Sequence, residues 1–201
     1  MPKIRAYVGL GANVGDTRKT LTAAVHALAA LPGAGLAGVS RLYVTAPVEI
    51  ADQPDFLNAV VALNVPAGPG GPVATGPIAL LLALKSIERA FGRLDRFRYG
   101  PRELDLDLLL FGEERVSVER PDEGRSLDPA KATRLLEVPH PEARRRLFVL
   151  APLADLAPEL VPPGWPESVV QARTHQQSIE GAPAVRPIGR WDARLGRWVD
   201  L

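Results

Sequence analysis

The sequence predicts an α/β (α+β) fold with a ferredoxin-like βαββαβ core, in which helices cover one face of an antiparallel sheet. Segments rich in β-branched and aromatic residues alternate with two segments whose apolar residues recur at helical spacing. The length of 201 residues, with 46% hydrophobic and 23% charged residues, suits one globular core with an additional tail. The order of these segments, rather than the composition, distinguishes this fold from other mixed folds.

Each element follows from a local pattern. Asp16 is a suitable N-cap for the first helix, since Leu21, Val25 and Leu28 then lie on one helical face. Residues 66–77 contain four glycines and four prolines and are expected to form a surface linker before the second helix. Residues 113–133 are charged and loop-like. Strands are predicted over residues 5–11, 39–48, 56–65 and 104–111. One helix is predicted to begin at Asp16 and to end at Pro32-Gly33, a second to cover 78–91, and a short helical stretch to cover 141–156.

The last part of the chain forms a separate C-terminal extension, predicted over residues 163–201. The sequence Gly189-Arg190-Trp191-Asp192 is similar to Gly196-Arg197-Trp198-Val199-Asp200, and the two segments lie on either side of Arg194-Leu195. This arrangement predicts a hairpin with the two tryptophans as cross-strand neighbours. Because an isolated hairpin is only marginally stable, we expect it to dock on the body of the protein or on a partner chain.

Composition excludes several classes of protein. The 24 basic and 23 acidic residues nearly balance, which argues against a general nucleic-acid or membrane-surface binder. The absence of cysteine excludes disulfides, thiolate nucleophiles and cysteine-ligated metal clusters. The longest apolar run, Ile78 to Leu84, is too short to span a membrane, and no signal peptide is recognised. We therefore expect a cytoplasmic protein.

The glycine-rich segment from Gly9 to Gly15 is not a nucleotide-binding fingerprint. Its spacing, G-x-G-x-x-x-G, is one residue longer than the dinucleotide motif, and the chain has no P-loop motif. These glycines are expected to allow a tight turn after the first strand.

Asp105 and Asp107 are candidate metal ligands. Residues two apart in a strand share a face, with α-carbons about 6.8 Å apart, so both carboxylates can approach one or two divalent cations. Leu104, Leu106 and Leu108 would then face the core. Arg102 lies just before the acids, and carboxylates, magnesium and arginines together are typical of phosphoryl transfer. The alternative is two carboxylates on a solvated face.

Five arginines lie between Arg89 and Arg102, against one acid, Asp95. Such a cluster suits a polyphosphate, because the guanidinium pairs with phosphate oxygens in bidentate fashion, although a solvated face is the simpler explanation. His140 lies between two prolines, and either a structural or a functional role is compatible with that position.

Five motifs taken together resemble the 6-hydroxymethyl-7,8-dihydropterin pyrophosphokinases of folate biosynthesis, over about residues 4–162. In chain order they are Gly9-x-Gly11-x-Asn13-x-Gly15-Asp16, Tyr43-x-Thr45-x-Pro47, Gln53-Pro54-Asp55-Phe56-Leu57-Asn58, Gly100-Pro101-Arg102-x-x-Asp105-Leu106-Asp107 and Val138-Pro139-His140-Pro141.

The resemblance implies an enzyme that transfers diphosphate from ATP to the hydroxymethyl group of the pterin and releases AMP. It implies a catalytic domain over residues 1–162, two magnesium ions, and small-molecule substrates without a nucleic-acid or membrane partner, in a monomer or weak homodimer. The implied site residues are Asp105 and Asp107 for metal, Arg93 and Arg102 for catalysis, Thr45, Pro47, Val48, Phe56, Asn58 and Phe148 for the pterin, and Lys85, Glu88, Arg102, Leu108, His140 and Arg146 for ATP.

These roles agree with the chemistry of the side chains. A pterin is a flat heteroaromatic ring, which Phe56 and Phe148 could sandwich, and the Asn58 amide offers a donor and an acceptor to its edge. Core packing is the alternative for both phenylalanines. Arg96 or Arg98 could replace an arginine of the family's catalytic loop, and Arg134 is a further candidate for ATP.

Two other functions remain open from the residues alone. A βαββαβ core is also the topology of RNA-recognition domains, but acids on the central strand would repel a phosphate backbone. A nucleotidyltransferase could use the same Asp-x-Asp site. The identity of the released product, AMP or another, separates these hypotheses.

Overall fold

The computed structural model describes residues 2–46, 53–67, 75–92, 102–124, 135–181 and 184–201. The helices of this part of the chain are α1 (Thr17–Ala29), α2 (Thr75–Ala90), α3 (Leu147–Leu156) and α4 (Val169–Glu180), with single 3₁₀ turns at Asp122–Gly124 and Ala143–Arg145. The strands are β1 (Lys3–Ala12), β2 (Gly35–Val39), β3 (Leu42–Thr45), β4 (Phe56–Pro66), β5 (Asp105–Phe111), β6 (Val116–Glu119), β7 (Leu135–Val138), β8 (Val185–Asp192) and β9 (Arg197–Asp200). None of these helices is long and apolar enough to cross a membrane.

The main sheet has seven antiparallel strands in the order β5-β1-β4-β3-β8-β9, with β2 also paired to β4. The elements from β1 to β5 follow the predicted βαββαβ order, with β2 and β3 together in the place of the second strand. The predicted fold class is confirmed. A second sheet contains β6 and β7. β6 lies within residues 113–133, which were predicted to be a loop, and β7 follows just after them; two strands of only four residues each give a weak pattern.

The strand predicted over 39–48 contains β3 and the last residue of β2, which begins earlier, at Gly35; the two strands are separated at Ser40 and Arg41 and both pair with β4. Residues 47 and 48 lie outside the described residues. The Ser40 amide donates to the Val60 carbonyl (3.0 Å), and the Ser40 hydroxyl accepts from the Val60 amide (2.9 Å). A serine side chain therefore replaces a backbone acceptor at the break, so β4 keeps its hydrogen bonds there.

Both faces of the sheet are covered. Ala6, Val8 and Leu10 of β1 face the core under α1 and α2, whereas Tyr7 packs in a second core with α3 and α4. The prediction of helices on one face therefore describes α1 and α2, while α3 and α4 cover the opposite face. β4 is buried on both faces, as its nearly continuous apolar sequence requires.

A β-bulge in β5 sets the direction of the two acids. Tyr7 pairs with Leu110 and Val8 with Leu108, which leaves Leu109 as the extra residue. As predicted, Leu104, Leu106 and Leu108 are buried in the core under α1 and α2. Asp105 and Asp107 alternate with these leucines and so point to the α3 face.

The helix boundaries follow local signals. The Asp16 carboxylate accepts from the Lys19 amide (3.1 Å), which confirms the predicted N-cap of α1. α2 begins at Thr75, three residues before the predicted start, and Pro66 still belongs to β4. The predicted linker is therefore shorter at both ends, and residues 68–74 lie outside the described residues.

The C-terminal extension contains a helix that was not predicted, in addition to the predicted hairpin. Ser168 and Gln171 form a capping box at the start of α4. β8 and β9 form an antiparallel pair with Trp191 opposite Trp198. The hairpin joins the main sheet of the body through the pairing of β8 with β3.

Candidate functional site

Two adjoining pockets flank β5 and share Asp107. The first, here called the central pocket, lies between the sheet and α3. The second, the edge pocket, lies between α2, the outer edge of β5 and the β6–β7 sheet. The central pocket is lined by Gly9, Leu10, Gly11, Asn58, Ala59, Val60, Asp105, Asp107, Leu109, Phe148 and Val149, and the edge pocket by Leu81, Lys85, Leu106, Asp107, Leu108, Arg120, Leu136, Glu137 and His140.

Gly11 makes room for the polar groups of the central pocket. It pairs with Asn58 of β4 on one side and with Asp105 of β5 on the other. A Cβ at Gly11 would lie 3.3 Å from Asn58 Oδ1, so any larger residue would press on the amide. The glycine-rich motif of β1 is therefore explained by this close approach as well as by the turn at Gly15, whose φ is 71°.

Asn58 is held in one orientation. Its side chain is buried, and Nδ2 donates to Thr45 Oγ1 at 2.9 Å. This bond turns Oδ1 towards Gly11. Phe56 precedes Asn58 by two residues on the same side of β4 and pairs with Thr45, although it is not among the residues that line the pocket. Phe148 contributes the aromatic surface opposite the sheet.

Asn13 connects three segments at the end of the sheet near Asp105. Its side-chain oxygen accepts from the Arg102 amide (2.8 Å), and its own amide donates to the Arg102 carbonyl (3.0 Å). Its Nδ2 donates to Gln53 Oε1 (3.1 Å) and the Pro54 carbonyl (3.2 Å). Asn13 therefore fixes the chain on either side of the pocket entrance, and Arg102 forms an ion pair with Asp105 from that position.

The edge pocket contains several charged groups. Lys85 Nζ donates to Glu88 Oε2 (2.8 Å), and Glu88 Oε1 accepts from the Leu106 amide (2.7 Å). Glu88 is only 2% exposed, so it lies behind Lys85 and does not line the pocket. The His140 amide donates to the Leu109 carbonyl (2.8 Å), which places the histidine beside the outer edge of β5.

A charged cluster joins β3 to α3, the helix that lines the central pocket. Asp155 of α3 accepts from the Arg41 amide (3.0 Å) and from the Tyr43 hydroxyl (3.0 Å). Burial, followed by the charge of Asp155, raises the pKa of Tyr43, and the hydrogen bond to Asp155 raises the pKa of Arg41. Both shifts favour the protonated forms, so they affect stability only at alkaline pH.

Comparison with known proteins identifies the family. The sequence model of the 7,8-dihydro-6-hydroxymethylpterin-pyrophosphokinase family matches residues 7–158. The chain belongs to this family. It is therefore a pyrophosphokinase of folate biosynthesis that uses ATP, and the predicted family, activity and enzyme class are confirmed.

Relatives of this pyrophosphokinase are similar over most of their length. The 2-amino-4-hydroxy-6-hydroxymethyldihydropteridine pyrophosphokinase of Pseudomonas aeruginosa is 42% identical over 156 residues, covering 78% of this chain and 82% of that protein. The Methylorubrum extorquens protein of the same name is 39% identical over 176 residues, covering 88% and 97%. A crystal structure of Plasmodium falciparum HPPK-DHPS superimposes with a TM-score of 0.71 over 99% of this chain at 15% identity. The chain spans 48% of that larger protein, and this likeness shows the fold alone.

The structure places the predicted site residues of the pyrophosphokinase in three groups. Asn58 and Phe148 line the central pocket with Asp105 and Asp107, and Thr45 and Phe56 lie beside Asn58. Lys85, Leu108 and His140 line the edge pocket, whereas Arg146 lies over the Phe148 ring, 5.7 Å from its centroid. Pro47, Val48, Arg93, Arg96, Arg98 and Arg134 lie outside the described residues.

Several residues were not assigned a role from the sequence. Arg120, in the segment that was predicted to be a loop, and Glu137 of β7 both line the edge pocket. The alternation of Val116 with Val118, and of Leu136 with Val138, was the signal that could have revealed β6 and β7. Asn13 belongs to a recognised motif, but its hydrogen bonds could not be deduced from the motif.

Among the described residues, no group of three or more acidic, histidine or cysteine side chains is arranged to hold a metal ion. Asp105 and Asp107 offer two carboxylates that face one pocket. This donor set fits Mg²⁺, which is commonly bound by one or two carboxylates together with substrate phosphates and water.

Proposed function

We propose that the central pocket binds the pterin, that the edge pocket binds ATP, and that diphosphate transfer takes place beside Asp107. The observation that supports this assignment is that Asp107 lines both pockets. A carboxylate shared by two sites is suited to a reaction in which a group passes from one bound molecule to the other.

The chemistry of the central pocket suits a pterin. Phe148 and the flat surface of Gly9 and Gly11 leave space for a planar ring, and the buried Asn58 amide lies at its edge. Because Thr45 fixes the direction of that amide, the pocket presents a defined pattern of donor and acceptor. We assign Thr45, Phe56 and Asn58 to pterin recognition, with Phe148 covering the ring and Pro47 and Val48 completing the site.

The edge pocket suits a nucleoside triphosphate. Lys85, Arg120 and His140 bring basic or hydrogen-bonding groups to one side of β5, and Leu81, Leu108 and Leu136 supply apolar surface. Phosphate oxygens pair well with such groups, and the apolar side chains offer a surface for a base. We assign Lys85, Leu108 and His140 to direct contacts with ATP, and Glu88 to holding Lys85. Arg146 is assigned to the side of the ATP site that faces Phe148.

We further propose that Asp105 and Asp107 hold two magnesium ions with the phosphates of ATP. When bound, these ions would neutralise phosphate charge and align the phosphates for displacement. Arg102 already pairs with Asp105, so its guanidinium lies where it can move from the carboxylate to a phosphate. Arg93 and Arg102 are assigned to stabilising the transferred diphosphate.

In the reaction, the pterin hydroxyl oxygen forms a bond to the β-phosphorus of ATP. The bond from the β-phosphorus to the oxygen that bridges it to the α-phosphorus breaks, and AMP leaves with that oxygen. The hydroxyl proton is lost to solvent. Asn58 and Phe148 orient the nucleophile, and the arginines stabilise charge on the transferring group.

The test combines product analysis with two complementary variants. Protein, magnesium, ATP and 6-hydroxymethyl-7,8-dihydropterin should yield AMP; a nucleotidyltransferase would release pyrophosphate instead, and an RNA-binding module would show no turnover. Phe148→Ala should weaken pterin binding and leave ATP binding unchanged, and Lys85→Ala should do the reverse. If both variants weakened the same ligand, the assignment of two separate pockets would be wrong.

A further inference from the structure

The C-terminal extension, residues 163–201, lies entirely beyond the region that the family model matches, which ends at residue 158. In the structure it is not a separate appendage. Its helix, α4, packs with α3 in the second core through Val169 and Ala172. Its hairpin extends the main sheet next to β3. The extension therefore contacts α3, which lines the central pocket, and β3, whose Thr45 holds Asn58 of that pocket.

The first contact is at the start of α3. The amide of Leu147, the first residue of the helix, donates to Glu180 Oε1 at 2.9 Å. Arg146 occupies the N-cap position and makes no side-chain capping bond. The first turn of a helix needs such an acceptor, and a negative charge there also interacts favourably with the helix dipole. Glu180, at the end of α4, supplies both from 33 residues further along the chain.

Glu180 is itself held in place. Gln176, one turn earlier in α4, donates from Nε2 to the same Glu180 oxygen at 2.8 Å. Phe148, which lines the central pocket, immediately follows Leu147. A carboxylate of the extension therefore binds the backbone one residue before the aromatic ring of the central pocket.

The second contact is along β3. Val185 pairs with Thr45, and Pro187 pairs with Tyr43, on the side of β3 opposite β4. The buried Trp198 indole donates from Nε1 to the Ser40 carbonyl at 2.9 Å. Since Thr45 holds Asn58, the hairpin supports the strand that orients the amide of the central pocket.

We propose that the C-terminal extension positions the pterin pocket, with Glu180 as the positioning residue for Phe148 and the β8–β9 hairpin supporting Thr45 and Asn58. The proposal rests on the assignment of the central pocket to the pterin. It extends the site to a part of the chain that neither the motifs nor the family match include. Loss of the Glu180 contact should impair pterin binding and leave ATP binding unchanged, because the edge pocket is formed by other elements.

The experiment compares Glu180→Ala with Glu180→Gln in the full chain. Glu180→Ala should raise the KM for the pterin, and its Kd for 6-hydroxymethylpterin measured by pterin fluorescence, by about 5-fold, since a lost helix cap changes an equilibrium by roughly this factor. The KM for ATP should change little, and the melting temperature should fall by only about 2–4 °C, as expected for the loss of one helix cap in a chain of this size. Glu180→Gln keeps an acceptor for the Leu147 amide and should restore most of the pterin affinity. Ile179→Ala, at the neighbouring and 65% exposed position of α4, is the matched control and should resemble the unmodified chain.

A double-mutant cycle separates this proposal from the pocket assignment. If Glu180 acts through Phe148, adding Glu180→Ala to Phe148→Ala should have little further effect. Failure of Phe148→Ala to weaken pterin binding would reject the pocket assignment. Normal pterin binding in Glu180→Ala, with Phe148→Ala impaired, would reject only the positioning role. Equal losses of pterin and ATP affinity in Glu180→Ala would show a general structural role and would also overturn the proposal.

Discussion

The central and edge pockets differ in how the chain builds them, although both use Asp107. The floor of the central pocket consists of three adjacent strands, and its buried amide, Asn58, is fixed by a hydrogen bond within the sheet. The edge pocket is assembled from α2, the outer edge of β5 and the small β6–β7 sheet, and most of its polar side chains are charged. The first arrangement suits a rigid, neutral ring, and the second suits a charged and flexible triphosphate.

The comparison also shows how one strand serves two ligands. Along β5, Asp105 and Asp107 face α3, while the Leu106 amide and the Leu109 carbonyl at the outer edge are bound by Glu88 and His140. One face of the strand therefore lines the central pocket and its outer edge borders the edge pocket, with Asp107 contributing to both. Changes at the face and at the edge should consequently have separable effects.

The largest effect is expected at the residue that the pockets share. Asp107→Ala should reduce the rate of AMP release by about 1000-fold or more, because the carboxylate proposed to hold magnesium beside the transferred group is lost. Pterin binding without ATP should be retained, and stability should change little, since Asp105 and Asp107 repel one another in the free protein.

Magnesium-dependent AMP release, pterin binding and thermal melting measure these three expectations for Asp107→Ala. Glu119→Ala, an exposed acid on nearby β6, is the matched control. Turnover near that of the unmodified chain in Asp107→Ala would defeat the idea of a shared carboxylate.

The next effect concerns the central pocket alone. Asn58→Ala should raise the pterin Kd by about 10- to 100-fold, which corresponds to roughly 1.5–3 kcal/mol of hydrogen bonding lost in a closed pocket. Titration with pterin and, separately, with ATP measures the contrast, and ATP affinity should be unchanged. Asn64→Ala, on the same strand but bonded to Arg5 at the exposed end, is the control and should affect neither ligand. A normal pterin Kd in Asn58→Ala would assign the amide to the scaffold.

Much of the central pocket could be predicted from the sequence. Strand alternation predicts that Asp105 and Asp107 lie on the same face of one strand. The motif that contains Asn58 also contains Phe56, two residues earlier on the same face. The connection of Asp155 with Arg41 and Tyr43 could not be predicted, because it joins residues more than 100 positions apart without a local pattern. Glu180 was missed for the same reason, because it caps the start of α3 from 33 residues further along the chain.

The edge pocket was harder to predict for a different reason. Lys85 and His140 were found by resemblance, but the short strands β6 and β7 give too few residues for a periodic pattern. The role of Glu88 was also predicted incompletely. Resemblance placed it with ATP, whereas the structure shows a buried carboxylate that holds Lys85 and the Leu106 amide.

A smaller effect, confined to the edge pocket, is expected for Glu88→Gln. The glutamine can still accept from the Leu106 amide but no longer attracts the Lys85 ammonium, so the KM for ATP should rise by about 5-fold. Pterin affinity should not change. In a Lys85→Met background the same substitution should add almost nothing, since its effect depends on the lysine. An additional loss of ATP affinity in that background would instead indicate direct contact between Glu88 and the nucleotide.

The smallest effect concerns the cluster that joins β3 to α3 beside the central pocket. Burial and the charge of Asp155 raise the pKa of Tyr43 in the folded chain, so above about pH 10 the unfolded chain releases this proton first. The folded chain then binds more protons than the unfolded one, and the free energy of unfolding falls as pH rises through that range. Tyr43→Phe should make this fall shallower, as measured by urea unfolding between about pH 9 and 11. Tyr7→Phe, which alters a buried tyrosine of β1, is the comparison. If Tyr43→Phe loses stability at alkaline pH as steeply as the unmodified chain, the Tyr43 hydroxyl beside Asp155 is not the source of that dependence.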